Sequence, residues 1–111
     1  MMAIDTDRKR IEAAFRQLRK QGFEAHARFW CCQSCGYAAI TNVKHHVFYH
    51  RQDAEALDRN GNLKPGSRLH ISVGPGVADG VALVTALRQQ LLDVEWDGAI
   101  GTRPAVIGRQ F

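Results

Sequence analysis

Two helix-type periodicities, over residues 5–21 and 77–92, bracket a series of short β-patterned stretches, and this order constrains the fold more than any other feature. In the first, Ile11, Phe15 and Leu18 recur at i, i+4 and i+7 with Ala14 between them, while Arg8, Lys9, Arg10, Glu12, Arg16, Arg19 and Lys20 fill the remaining arc. That spacing predicts an amphipathic helix, stopped at Gly22, which takes up a left-handed cap conformation without the penalty of a Cβ. In the second, Val77, Val81, Val84, Leu87 and Leu91 mark the expected buried face of the longest helix. Ala27–Trp30, His46–His50, the alternating Leu69, Ile71 and Val73, Val94–Trp96 and Pro104–Ile107 read as strands from β-branched and aromatic content or from alternation. Gly36–Val43 fits a helical turn or a further strand, Asp53–Leu57 a short helix, and 58–66 a turn-rich surface loop. The order predicts an α+β fold with two main helices packed on one mainly antiparallel, four- to five-stranded sheet. One hundred and eleven residues suffice for one such domain, residues 1–111, and exclude a two-lobed enzyme with separate cofactor and substrate domains.

Composition narrows the setting. With 45% hydrophobic and 23% charged residues the chain is globular rather than disordered or fibrous. Nowhere do 18 apolar residues run together, and Met1–Ile4 leads into Asp5–Arg10 without a signal-peptide core, so a soluble cytoplasmic protein with no membrane partner is expected. A formal charge of +4 permits an acidic partner without demanding one.

Seven of the eight Cys and His residues fall between His26 and His50. Thiolate sulfur and imidazole nitrogen are the donors zinc prefers, and three closely spaced cysteines cannot staple distant parts of a secreted fold. Cys32-x2-Cys35 has the spacing of a zinc knuckle, and His46-x3-His50 the histidine spacing of a zinc finger. If 46–50 is a strand, however, His46 and His50 lie about 13 Å apart at roughly 3.3 Å per residue, too far to share one ion. The expected ligand set is therefore Cys31, Cys32, Cys35 and His50 around a zinc ion that supplements a modest core.

The same cluster admits an enzyme. A Cys–His hydrolase would use Cys32 or Cys35 as nucleophile, His50 as base and Asp53 to orient the imidazole, and an open metal site would keep a water as fourth ligand. Two other motifs carry less chemistry. Gly74-x-Gly76-x3-Gly80 has its third glycine one place late for a dinucleotide-binding turn, and Asp58, Asn60 and Asn62 lack the bidentate Glu of a calcium loop. The basic arc of the first helix offers Arg8, Lys9, Arg16, Arg19 and Lys20 to an acidic protein or a nucleic-acid complex. No aromatic interleaves that arc, and Trp30 and Trp96 are expected in the core or the sheet.

The strings Cys31-Cys32-Gln33-Ser34-Cys35-Gly36, Phe48-Tyr49-His50-x-Gln52-Asp53 and Val94-Glu95-Trp96-Asp97-Gly98 resemble a bacterial family of uncharacterised proteins known as a domain of unknown function. The resemblance covers roughly residues 29–107 and leaves the basic first helix outside. It implies bacterial or phage origin, no established activity, and His50 as the histidine to test. Together these readings favour a small zinc-stabilised binding or regulatory module over a hydrolase. A phage or mobile-element inhibitor that binds a host nucleic-acid complex is the third reading.

Overall fold

The computed structural model describes residues 6–30, 33–99 and 102–108. Helix α1, Asp7–Lys20, starts where Thr6 Oγ1 accepts the Lys9 amide at 3.2 Å, an N-cap bond for an otherwise orphan donor. Asp7 ties the 58–62 loop to this end, its carboxylate accepting the Leu63 amide at 2.8 Å while Arg8 N–H donates to Gly61 O at 2.8 Å. Ile11, Ala14, Phe15 and Leu18 are fully buried, as their period requires. Past Gln21 the helix closes with Gly22 at φ 97°, Gly22 N–H reaching Arg19 O and Phe23 N–H reaching Leu18 O. This is the paired closure that favours glycine.

Strand β1, Glu24–His26, follows at once, then α2, Gln33–Ala39, and β2, His46–Phe48. A 3₁₀ turn over Asp53–Ala56 leads to β3, Arg68–His70, and β4, Ser72–Val73. Helix α3, Val77–Gln89, precedes β5, Val94–Glu95, and β6, Ala105–Ile107. The strands form two three-stranded sheets, ordered β1-β2-β4 and β3-β6-β5, rather than one sheet of four or five. β1 and β2 run parallel, with Ala25 beside Val47, and the other pairs are antiparallel. The division falls at Ile71, where an unbroken alternating strand was expected. Ile71 N–H donates to Pro104 O at 2.9 Å and its side chain is fully buried, so the chain steps there from one sheet to the other. Both sheets, α1 and α3 share one hydrophobic core that includes Phe15, Leu18, Val47, Leu69, Ile71 and Leu87.

Three other expectations change. Ala27–Trp30 is a bend, because β1 stops at His26 and Arg28 and Trp30 take φ values of 53° and 64°. The 36–43 stretch is helical through Ala39, and α2 lies flat on β2 at Gly36, where a Cβ would meet Phe48 Cε2 at 2.5 Å. The buried face of α3 carries Asp79, Gly80, Leu83, Val84, Ala86 and Leu87, while Val77, Val81 and Leu91 are exposed. Two contacts set that rotation. Asp79 turns inward to His45 Nδ1 at 2.9 Å, and Gly80 admits the Trp96 ring, 2.5 Å from where its Cβ would stand.

The two sequence motifs set aside as sites have structural uses. Gly74 lets the Lys44 carbonyl and the Asp79 carboxylate approach to 2.6 and 2.7 Å of its Cβ position. Asp58 Oδ1 accepts the Asn60 and Asn62 amides at 2.8 and 3.0 Å, which is a side-chain-closed turn.

Candidate functional site

Of the expected metal ligands, Cys31 and Cys32 lie outside the described residues. Cys35 sits on α2 and is exposed. His50 is buried just past the end of β2, and the structure does bring it to Asp53. Its Nε2 lies 3.1 Å from Asp53 Oδ2, its Nδ1 accepts the Asp53 amide at 3.3 Å, and Arg103 Nη1 adds 3.2 Å to the same carboxylate oxygen. Arg103 is a partner that sequence reasoning missed, fifty positions away. Both ring nitrogens of His50 are thus engaged inside a buried His–Asp–Arg arrangement, which locks the loop between β2 and the 3₁₀ turn. Among the described residues no group of three or more His, Cys, Asp or Glu side chains is arranged to hold a metal ion.

His46 differs. It is 3% exposed, its Nδ1 pairs with Asn42 O at 3.0 Å, and its Nε2 is buried with no hydrogen-bond partner among the described residues. A carbonyl partner requires the proton on Nδ1, so Nε2 presents its lone pair. The ring packs edge-on against Tyr37 with centroids 5.6 Å apart, and beside Phe48 at 6.1 Å. This is the tautomer of a ligating histidine, whose other nitrogen donates to a carbonyl.

The basic residues assemble into a groove. Arg16 and Arg19 from α1 face His26 at the end of β1 and Arg28 and Trp30 from the bend, with Glu12 at one side, around a hollow of about 530 Å³. The turn at Gly22 reverses the chain, so positions 16–19 and 26–30 become neighbours. Trp30 is 54% exposed, which corrects its expected place in the core. Trp96 is half-buried rather than in the core, its ring laid against Gly80 just past the end of β5. Arg19 forks onto Ala25 O at 3.1 and 2.7 Å and holds that wall in place. Lys9 and Arg8 lie toward the opposite end of α1, about 10–17 Å from Arg16 and Arg19 along the axis at 1.5 Å per residue, so the five basic residues do not act as one set.

The bend is fastened rather than loose. Tyr49 N–H donates to His26 O at 3.3 Å, Phe29 N–H to Tyr49 O at 2.8 Å, and Arg51 N–H to Trp30 O at 3.0 Å. Phe29 stacks on His26 with ring centroids 4.1 Å apart, and Trp30 meets Phe29 edge-on at 6.4 Å. Below them Glu24 clamps the sheet edge. Its Oε1 accepts from Thr41 N, Thr41 Oγ1 and Asn42 N at 2.9, 2.8 and 2.7 Å, and its Oε2 lies 2.8 Å from His26 Nε2. Burial works to raise this carboxyl, but the hydrogen bonds from Asn42, His26 and Thr41 outweigh it and hold the group at about 2. The result is a rim with guanidinium groups on both walls and an indole about half in solvent.

No helix among the described residues is long and apolar enough to cross a membrane. No curated protein and no solved structure matches the chain. The family comparison extends the resemblance through the basic helix, since the matched span is residues 3–108 and takes in both walls of the groove: the chain belongs to the family described as a domain of unknown function, DUF6891.

Proposed function

We propose that this protein is a small, non-catalytic binding module that holds a polyanionic partner in the groove between α1 and the 26–30 bend. One observation carries the reading: Arg16, Arg19 and Arg28 converge from two segments on one hollow, opposed among the described residues by the carboxylate of Glu12. A solvated helix face would leave its charges spread around an open surface. Here a second segment, held by backbone bonds to Tyr49 and Arg51, adds a third guanidinium to the two from the helix. Guanidinium donors gathered in this way suit phosphate or carboxylate groups, because guanidinium forks bind both. The test is salt elution from immobilised heparin. Arg16→Glu with Arg28→Glu elutes at clearly lower salt than wild type, whereas Lys9→Glu with Lys20→Glu, the same change in net charge outside the groove, shifts elution less. Equal shifts from the two pairs would overturn the reading.

A second reading keeps zinc as a stabiliser, with Cys31, Cys32 and Cys35 as sulfur donors. The observation in its favour is the buried lone pair of His46 Nε2, which makes His46 a better nitrogen donor than the doubly bonded His50. When bound, zinc would cross-link the cysteine segment to β2. Protein purified without a histidine tag then contains about one zinc per chain, lost in His46→Ala and retained in His50→Ala. Metal-free protein whose melting temperature ignores chelator would remove zinc from the account. The odd number of thiols fits a reducing compartment such as the cytoplasm.

A further inference from the structure

The groove contains a feature that polyanion binding alone does not require. Trp30 stands in the left-handed region at φ 64°, two residues after Arg28 at φ 53°. Neither position is glycine, and neither ends a helix. Such conformations persist only where surrounding structure over-determines them, and here the backbone bonds of Phe29 to Tyr49 and of Arg51 to Trp30 do so. Their consequence is an indole fixed at the rim beside three guanidinium groups, edge-on to Phe29 and about half exposed.

We infer that the groove binds single-stranded nucleic acid, with one base stacked on the Trp30 ring and the flanking phosphates on Arg16 and Arg28. This rests on the polyanion reading and names the partner class. A flat aromatic face with cations alongside is the sequence-tolerant way to hold unpaired bases, since every base has a π-face and every nucleotide a phosphate. A duplex keeps its bases stacked on one another and offers Trp30 no face. An acidic protein would meet the charges but would leave the indole without a planar partner, because protein interfaces bury aromatic anchors in apolar pockets. This hollow is walled by arginines instead. Arg19 keeps its fork on Ala25 O and contributes charge rather than a phosphate clamp.

The experiment titrates the protein into a fluorescently labelled twelve-nucleotide single strand, the duplex of the same sequence, and labelled polyglutamate. Tryptophan emission is followed alongside with unlabelled strand. The single strand binds most tightly, its affinity falls with salt at a log–log slope of about −1.4 for two phosphate contacts at roughly −0.7 each, and tryptophan emission is quenched. Trp30→Ala weakens binding by about tenfold or more, and Trp30→Phe recovers most of the loss. Quenching in the wild type needs no variant, so a poorly folded Trp30→Ala protein leaves the inference testable. Strand, duplex and polyglutamate binding equally, without quenching, overturns base stacking while leaving the polyanion reading intact. Tighter binding of polyglutamate than of the strand assigns the groove to an acidic protein and also overturns it. If no polyanion binds and heparin elution ignores Arg16→Glu with Arg28→Glu, both readings fall together.

Discussion

The bend at 26–30 and the turn at 90–93 both force L-residues into positive φ, Arg28 and Trp30 at 53° and 64° in the first and Leu91 at 64° in the second. At the turn the cause is local. Leu91 N–H donates to Arg88 O at 3.0 Å and Leu92 N–H to Leu87 O at 3.4 Å, the closure that ends α1 with Gly22 in the equivalent place. At the bend no helix is ending, and the bonds that hold the conformation run to residues 49–51. The adjoining hollows differ in the same sense. The one beside the turn, about 470 Å³, is lined by Arg88, Leu91, Leu92, Asp93 and Val94, one cation against one anion, and Arg88 donates to Val94 O at 3.3 Å. The one beside the bend sets three guanidinium groups against one carboxylate. Strain explained by a helix end carries no message about function, whereas strain sustained from a distance and edged with charge does.

The largest effect that separates the two regions is acid. Glu24 anchors the bend side only, and its carboxyl is held near 2 in the fold against an ordinary 4.5. A depressed folded-state pKa gives stability that is complete above about 4.5 and is lost as pH falls toward 2. After allowance for solvent screening of this partly exposed group, the difference is about 2–3 kcal/mol at most by linkage. Glu24→Gln loses most of that stability at neutral pH and flattens the acid limb between pH 5 and 2. Denaturant melts at several pH values check it, and parallel acid limbs for wild type and variant would remove Glu24 as the clamp. Hydrogen exchange sharpens the contrast, with the Phe29 and Asn42 amides losing protection in acid before that of Leu92.

Base gives the next effect. Tyr49, whose carbonyl receives the Phe29 amide, has a fully buried ring and a hydroxyl with no hydrogen-bond partner among the described residues. Burial, and after it the Glu12 carboxylate, push its pKa up to about 12. A raised folded-state pKa gives stability that is complete below about 10 and is lost as pH climbs from 10 to 12, on the order of 2–3 kcal/mol. Tyr49→Phe abolishes that alkaline loss. At pH 7 it is neutral or stabilising by up to about 1 kcal/mol, since it deletes an unsatisfied buried group. A clear destabilisation at pH 7 would mean that the hydroxyl does important bonding.

How far the sequence reaches follows the same division. The α1 stripe of Ile11, Ala14, Phe15 and Leu18 and its stop at Gly22 were legible because period and cap are local properties. The bend was not, because Ala27–Trp30 has strand-like composition and its conformation is imposed by Tyr49 and Arg51. The step between sheets at Ile71 leaves alternation unchanged, so no pattern reports it. On α3, counting Val and Leu pointed to Val77 and Val81, while Asp79 and Gly80 face inward for contacts with His45 and Trp96. The basic half of the groove was visible in Arg16 and Arg19. Arg28 and Trp30 joined it only once the turn at Gly22 had brought the two segments together.

Smaller effects come from the backbone positions themselves. At helix ends glycine is the unstrained choice, so Leu91→Gly raises stability by up to about 0.5 kcal/mol, the freer unfolded chain taking back part of the gain, and Gly22→Ala lowers it by about 1 kcal/mol. Thermal melts resolve both, and neither changes affinity for a single strand by more than about twofold. Arg28→Gly is the discriminating partner. It relieves a comparable backbone penalty, but glycine also loosens the unfolded chain, so the net gain in stability is about 0.5 kcal/mol or less. Affinity for the single strand meanwhile drops several-fold, because one guanidinium leaves the rim. Arg28→Lys keeps the charge and the strain while losing the fork, and falls between wild type and glycine in affinity at unchanged stability. If Arg28→Gly leaves affinity intact, as Leu91→Gly does, the bend is merely another strained turn and its charge is idle.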